Sequence, residues 1–163
     1  MSKKSAVVVL HEQSCDSLIL TKRSLQLRHH PGEFCFPGGR WERGDINLWS
    51  TALRELHEEL GIASSRVKFI MELQPEQTLI GTTIYPWFAT IPTLKPYEIN
   101  KNEVSDVITL PMAEVTKLSN YQEIAIKRHG KTFSCWQFTA SEQFVWGATA
   151  RIMRQLCYTK PAR

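Results

Sequence analysis

Glu55, Glu58 and Glu59 stand at steps of three, one and four residues, so a helix through them would bring their carboxylates together over a single turn. Like charges so placed repel one another, and a helix selected for stability alone would interleave Lys or Arg among them. A hard divalent cation answers that repulsion, because Mg²⁺ and Mn²⁺ take carboxylate oxygens and keep positions for water and phosphate. The plainer reading is a solvated acidic helix face. The surroundings favour metal: Gly38 and Gly39 lie upstream, Arg54 directly precedes Glu55, and Gly61 follows.

That arrangement needs a helix, and the sequence predicts one from Leu48 to Leu60, with Asn47 or Asp45 as N-terminal cap and Gly61 as the stop. At about 100° per residue, Trp49, Ala52, Leu53, Leu56 and Leu60 form an inward stripe, and the three glutamates fall on a separate face. Ala6–Leu10 and Leu18–Thr21 read as two paired strands, and Phe34–Phe36 as a short strand ended by Pro37-Gly38-Gly39. Val67–Leu73, Thr83–Ile91 and Val104–Leu110 read as further strands, with a short helix over Pro111–Leu118. Tyr121–Lys127 and Thr132–Phe138 flank a hairpin turn at His129-Gly130, and Val145–Tyr158 reads as a closing helix. Strands before, between and after helices indicate a mixed α/β sandwich.

The chain has 163 residues and 42% hydrophobic content, which suits one compact domain. Its formal charge of +4 favours an anionic small molecule and is too weak to indicate nucleic acid. No apolar run approaches the roughly 18 residues a membrane span needs, and the first residues are too short for a secretory signal. A cytoplasmic location follows as an expectation. Cys15, Cys35, Cys135 and Cys157 lie far apart without a CxxC pair, so neither zinc nor a disulfide framework is indicated.

The stretch Gly39 to Ile62 resembles the Nudix box, G-x5-E-x7-R-E-U-x-E-E-x-G-U, where U is a bulky aliphatic residue. Arg54-Glu55-Leu56-His57-Glu58-Glu59-Leu60-Gly61-Ile62 matches the second half at every specified position. In the first half Asp45 stands where the pattern has Glu, and eight residues rather than seven separate it from Arg54. Coenzyme A pyrophosphatases of the Nudix group carry a similar Asp and a similarly lengthened spacer. Ile19 to Gly39 also resembles their additional signature, L-L-T-x-R-S-x3-R-x3-G-x3-F-P-G-G, with only Ile19 departing from it. Trp146-Gly-Ala-Thr-Ala150 is similar to the closing helix of that group.

The resemblance implies a single Nudix hydrolase domain over 1–163, with the α/β/α sandwich of that family. The implied activity is hydrolysis of the coenzyme A diphosphate to 4′-phosphopantetheine and 3′,5′-adenosine diphosphate, with Mg²⁺ or Mn²⁺ as cofactor. Glu55, Glu58 and Glu59 would hold the metal, and Arg54 would orient a carboxylate. The general base is one of these glutamates or an outside residue, for which Glu103 is the first candidate against its reading as an exposed loop residue. Arg23 and Arg28, with Gly38 and Gly39, would face the substrate, since guanidinium groups bind phosphates in bidentate fashion; ordinary surface charge is the alternative for the two arginines. His29 and His30 read as solvated. Trp136 and Phe138 share a strand face that suits either the core or an adenine stack. A Nudix hydrolase of another nucleoside diphosphate derivative (a sugar nucleotide, dinucleotide or oxidised nucleotide) is the runner-up. A non-catalytic Nudix-like ligand sensor is a third possibility.

Overall fold

A computed structural model describes residues 3–159. In chain order the strands are β1 (Lys3–Glu12), β2 (Ser17–Arg23), β3 (Phe34–Cys35), β4 (Gly38–Arg40), β5 (Lys68–Glu72), β6 (Glu76–Gln77), β7 (Thr82–Ile91), β8 (Val104–Pro111), β9 (Tyr121–Arg128), β10 (Lys131–Phe138) and β11 (Val145–Trp146). The helices are α1 (Leu48–Leu60), α2 (Met112–Val115) and α3 (Gly147–Gln155).

Ala6-Val-Val-Val-Leu10 is apolar throughout because it is buried on both faces. Its even members pack with Ala52, Leu56 and Leu60 of α1, and Val7 and Val9 pack with Ile152 and Met153 of α3. A strand of that kind belongs in the middle of a sheet. β1 accordingly pairs in parallel with β7 along its whole length, from Lys3↔Thr82 to Glu12↔Ile91. Its pairing with β2, the partnership expected from sequence, is confined to His11↔Leu18 and Glu12↔Ser17. The eight-stranded mixed sheet runs β3-β2-β1-β7-β5, with β4 on β1, β6 on β7 and β8 on β2. A second sheet has the order β11-β10-β9. The result is the expected sandwich, with α1 on one side of the large sheet and α3 on the other.

The helix α1 has the predicted bounds. Of the two candidate caps Asn47 serves: its side chain accepts the Ser50 N–H at 2.8 Å, and Ser50 Oγ accepts the Asn47 N–H at 3.0 Å. Gly61 ends the helix at φ 66°, a left-handed conformation that favours glycine. Ala52, Leu56 and Leu60 are fully buried, whereas Trp49 and Leu53 are partly covered. Leu56→Ala is expected to lower stability by about 2 to 5 kcal/mol, the range for a truncated core leucine, which chemical denaturation would read directly.

One expectation needs correction. Val145 and Trp146 begin no helix; they form β11 against β10, with Phe138↔Val145 in register, and α3 starts at Gly147. Val145 is buried while Phe144 is half-exposed, an alternation that suits a strand and not a helix face. Phe138 is core, with no exposed surface, and Trp136 is covered by the Arg154 guanidinium at 4.2 Å from its ring centroid. The His129-Gly130 turn is present, with φ of 52° and 74°, as a two-residue hairpin loop requires. All four cysteines are free. Among the described residues no helix is long and apolar enough to cross a membrane.

Candidate active site

The glutamates of α1 differ sharply in exposure. The Glu58 side chain is 43% exposed and that of Glu55 only 13%, while Glu59 is buried beside the inward stripe. Oxygens of Glu55, Glu58 and Glu103 lie within 4.8 Å of one another. Glu59 stands deeper, where both its oxygens accept the Gly38 N–H at 3.3 Å.

Glu103 reaches the helix because the preceding segment hangs from the last turn of α1. Glu98 N–H donates to Leu60 O and Asn100 N–H to Glu59 O, each at 2.9 Å. Asn100 O then accepts the Glu103 N–H at 3.0 Å, and Glu103 O accepts the Ser24 N–H at 2.9 Å. Asn100 and Glu103 together therefore tie the acidic helix to the residue that follows β2.

Arg54 organises the cluster. Its Nε and Nη2 form a fork onto Asp45 Oδ1 at 2.9 Å and Oδ2 at 3.1 Å. Nη1 donates to Glu55 at 3.0 Å and Glu58 at 3.2 Å, and Nη2 also donates to the Arg40 carbonyl at 3.0 Å. A guanidinium spent in this way orients carboxylates and has little left for a ligand. Its hydrogen bonds hold the Asp45 carboxyl well below the usual range. Because that group is depressed in the folded state, its stabilisation is complete above the unfolded value near pH 4 and is lost as the pH falls through the folded value. Asp45→Asn is expected to cost about 1.5 to 3 kcal/mol at neutral pH and to flatten the acid limb of a melting temperature against pH curve; an unchanged curve would show the pair to be energetically idle.

Burial pushes the Glu55 carboxyl up to about 7, assisted by the Glu58 and Glu103 charges and opposed by Arg54. Burial likewise raises Glu59 well above the ordinary range, with the Gly38 N–H opposing and the charges of Glu55 and Glu103 adding. The fold thus assembles oxygen donors whose negative charge is poorly compensated, which fits a hard divalent ion.

The two glycines have distinct steric reasons. A Cβ on Gly38, at φ 158°, would lie 2.3 Å from Ala6 O, and one on Gly39 would lie 2.6 Å from the carboxyl carbon of Glu55. Gly39 leaves room for a carboxylate, and Gly38 brings its N–H to another. Both glycines therefore border the acidic cluster.

Arg23, at the end of β2, donates from Nε to His29 O at 3.1 Å and is near enough to Glu59 to oppose its raised pKa. Arg28 is exposed on the following loop and does not join the cluster. His29 is exposed, but His30, read as solvated, pairs with Glu33 at 2.9 Å. Sequence reasoning missed the hold of Asp45 on Arg54 and the part of Asn100 in placing Glu103. The lengthened spacer between Asp45 and Arg54 was a signal for the first.

Residues 1–140 match the NUDIX domain family. A protein described as "Uncharacterized Nudix hydrolase NudL" from Enterobacter sp. (strain 638) is 36% identical over 155 residues, covering 94% of this chain and 81% of that one. Its namesake from Shigella boydii serotype 4 is 38% identical over 139 residues, covering 85% and 72%. DR0079 from Deinococcus radiodurans shares the fold at TM-score 0.64 and 17% identity, over 96% of this chain and 83% of that one. The Nudix domain of Shewanella oneidensis NrtR, in a cocrystal with ADP ribose, does so at TM-score 0.56 and 21% identity, over 71% and 76%. The chain belongs to the Nudix family. Its members with hydrolase activity act on nucleoside diphosphate derivatives and generally use divalent metals such as Mg²⁺ or Mn²⁺.

Proposed function

We propose that this Nudix hydrolase, with residues 1–163 working as one domain, cleaves the diphosphate linkage of coenzyme A or its derivatives. The products are 4′-phosphopantetheine and 3′,5′-adenosine diphosphate. The observation that carries the reading is the course of the segment from Ile19 to Gly39: it leaves β2 at Arg23 and returns through β3 and β4 to Gly38, whose N–H touches Glu59. The two sequence signatures therefore meet at one group of carboxylates.

Glu55, Glu58 and Glu59 would hold the divalent ion, with Glu103 beside the oxygens of Glu55 and Glu58. Bound there, a divalent ion offsets charge on the diphosphate and acidifies water. Arg54 keeps Glu55 and Glu58 aimed at the site. Glu103 makes no side-chain hydrogen bond or ion pair among the described residues and takes the proton of the attacking water. Gly38 and Gly39 shape the floor beneath the scissile diphosphate. Arg23, close to Glu59, binds that diphosphate; Arg28, farther along the loop, binds the ribose 3′-phosphate.

Arg23→Ala is expected to lower kcat/KM by about 10- to 150-fold, a loss of about 1.5 to 3 kcal/mol of transition-state stabilisation, with coenzyme A and dephospho-coenzyme A alike. Arg28→Ala should affect coenzyme A more than the dephospho compound, which lacks the ribose 3′-phosphate. Unchanged kinetics of both variants with both compounds would contradict the recognition role of this loop.

A further inference from the structure

The aromatic pair weighed from sequence for base stacking, Trp136 and Phe138, is unavailable in the fold. A different pair is available. β11 turns Val145 into the core, so its neighbours Phe144 and Trp146 point the other way. Their ring centroids lie 5.6 Å apart at an interplanar angle of 17°, an offset stack. Phe144 is 47% exposed, which leaves a flat aromatic surface in water.

The stack is charged and anchored. The Arg128 guanidinium lies over the Trp146 ring at 5.1 Å, and its Nη2 donates to Glu33 at 3.3 Å. Glu33 belongs to the segment that carries the phosphate-binding arginines, and its carbonyl accepts the Arg23 N–H at 2.9 Å. An aromatic ledge with a neighbouring cation, tied to a loop that binds phosphates, has the chemistry of a nucleotide-base seat.

We propose that Phe144 and Trp146 form the ledge on which the adenine of the substrate stacks. This rests on the reading of the substrate as an adenine-bearing diphosphate. Phe144 is the outer contact, and Arg128 holds Trp146 beneath the cation while linking the ledge to Glu33. The acidic cluster then works on the diphosphate, and the ledge fixes which end of the molecule lies toward β11.

Binding of AMP and of ribose 5-phosphate, which differ only in the base, tests the ledge apart from turnover. Calorimetric titration of the whole protein should show tighter binding of AMP. Phe144→Ala should weaken AMP by at least about fivefold, the lower end for loss of one base stack, and leave ribose 5-phosphate unchanged. Phe144→Tyr should keep the preference, because a ring remains; a purely structural role for Phe144 would show no such rescue pattern between the two ligands. A preference for AMP that survives Phe144→Ala, or no preference in the wild type, would overturn the ledge. Failure to turn over coenzyme A alongside an intact, Phe144-dependent AMP preference would remove the substrate reading and leave the ledge standing.

Discussion

Glu58→Gln is expected to reduce turnover by about a hundredfold or more at saturating Mg²⁺, equivalent to the several kcal/mol that a bound divalent ion contributes to phosphoryl chemistry, with the melting temperature nearly unchanged. The Glu58 side chain is 43% exposed, and its bond to Arg54 is an i,i+4 surface pair, the sort worth only about 0.3 to 0.5 kcal/mol to the fold. Activity and stability should therefore separate cleanly. Near-wild-type rates under saturating metal would remove Glu58 from the metal-holding set.

The opposite separation is expected at Gly38→Ala. The new Cβ would meet backbone, Ala6 O at 2.3 Å and Val7 Cα at 2.6 Å, and β4 could relieve the clash only by leaving its register with β1. A loss of about 3 kcal/mol or more is expected from overpacking and backbone strain together, visible as a lowered denaturation midpoint. At Gly39→Ala the Cβ would meet the Glu55 carboxylate instead, at 2.6 Å. A side-chain end can move, so that variant should stay folded and lose activity. Equal stabilities of the two variants would contradict these separate roles.

Much of this arrangement was legible in the sequence because it is local. The bounds of α1 follow from its apolar stripe and Gly61, and the hairpin at His129-Gly130 from its turn residues. The strand content of 104–111 and 121–138 follows in the same way from runs of β-branched and aromatic residues. What was not legible depends on contacts across the chain. Glu59 shares a helix turn with Glu58, yet it is buried, because β4 crosses that side of α1 and presents the Gly38 N–H. Glu103 joins the cluster only through the hydrogen bonds of Asn100 to α1, which no periodicity announces. Asp45 could equally have capped the helix; Asn47 and Ser50 close that cap between themselves, leaving Asp45 to hold Arg54. The pairing of β1 with β2, legible from adjacency, is present but short, whereas the long parallel pairing with β7 depends on a run buried on both faces and on a partner distant in sequence.

Both signatures are proposed to serve one activity toward coenzyme A. The most direct test is to incubate the protein with coenzyme A, ADP-ribose, a dinucleoside polyphosphate and a nucleoside triphosphate in Mg²⁺ or Mn²⁺, reading the products by mass. The predicted result is metal-dependent release of 4′-phosphopantetheine and 3′,5′-adenosine diphosphate, with the highest kcat/KM for coenzyme A or an acyl derivative. Efficient cleavage of another diphosphate with coenzyme A left intact would contradict it.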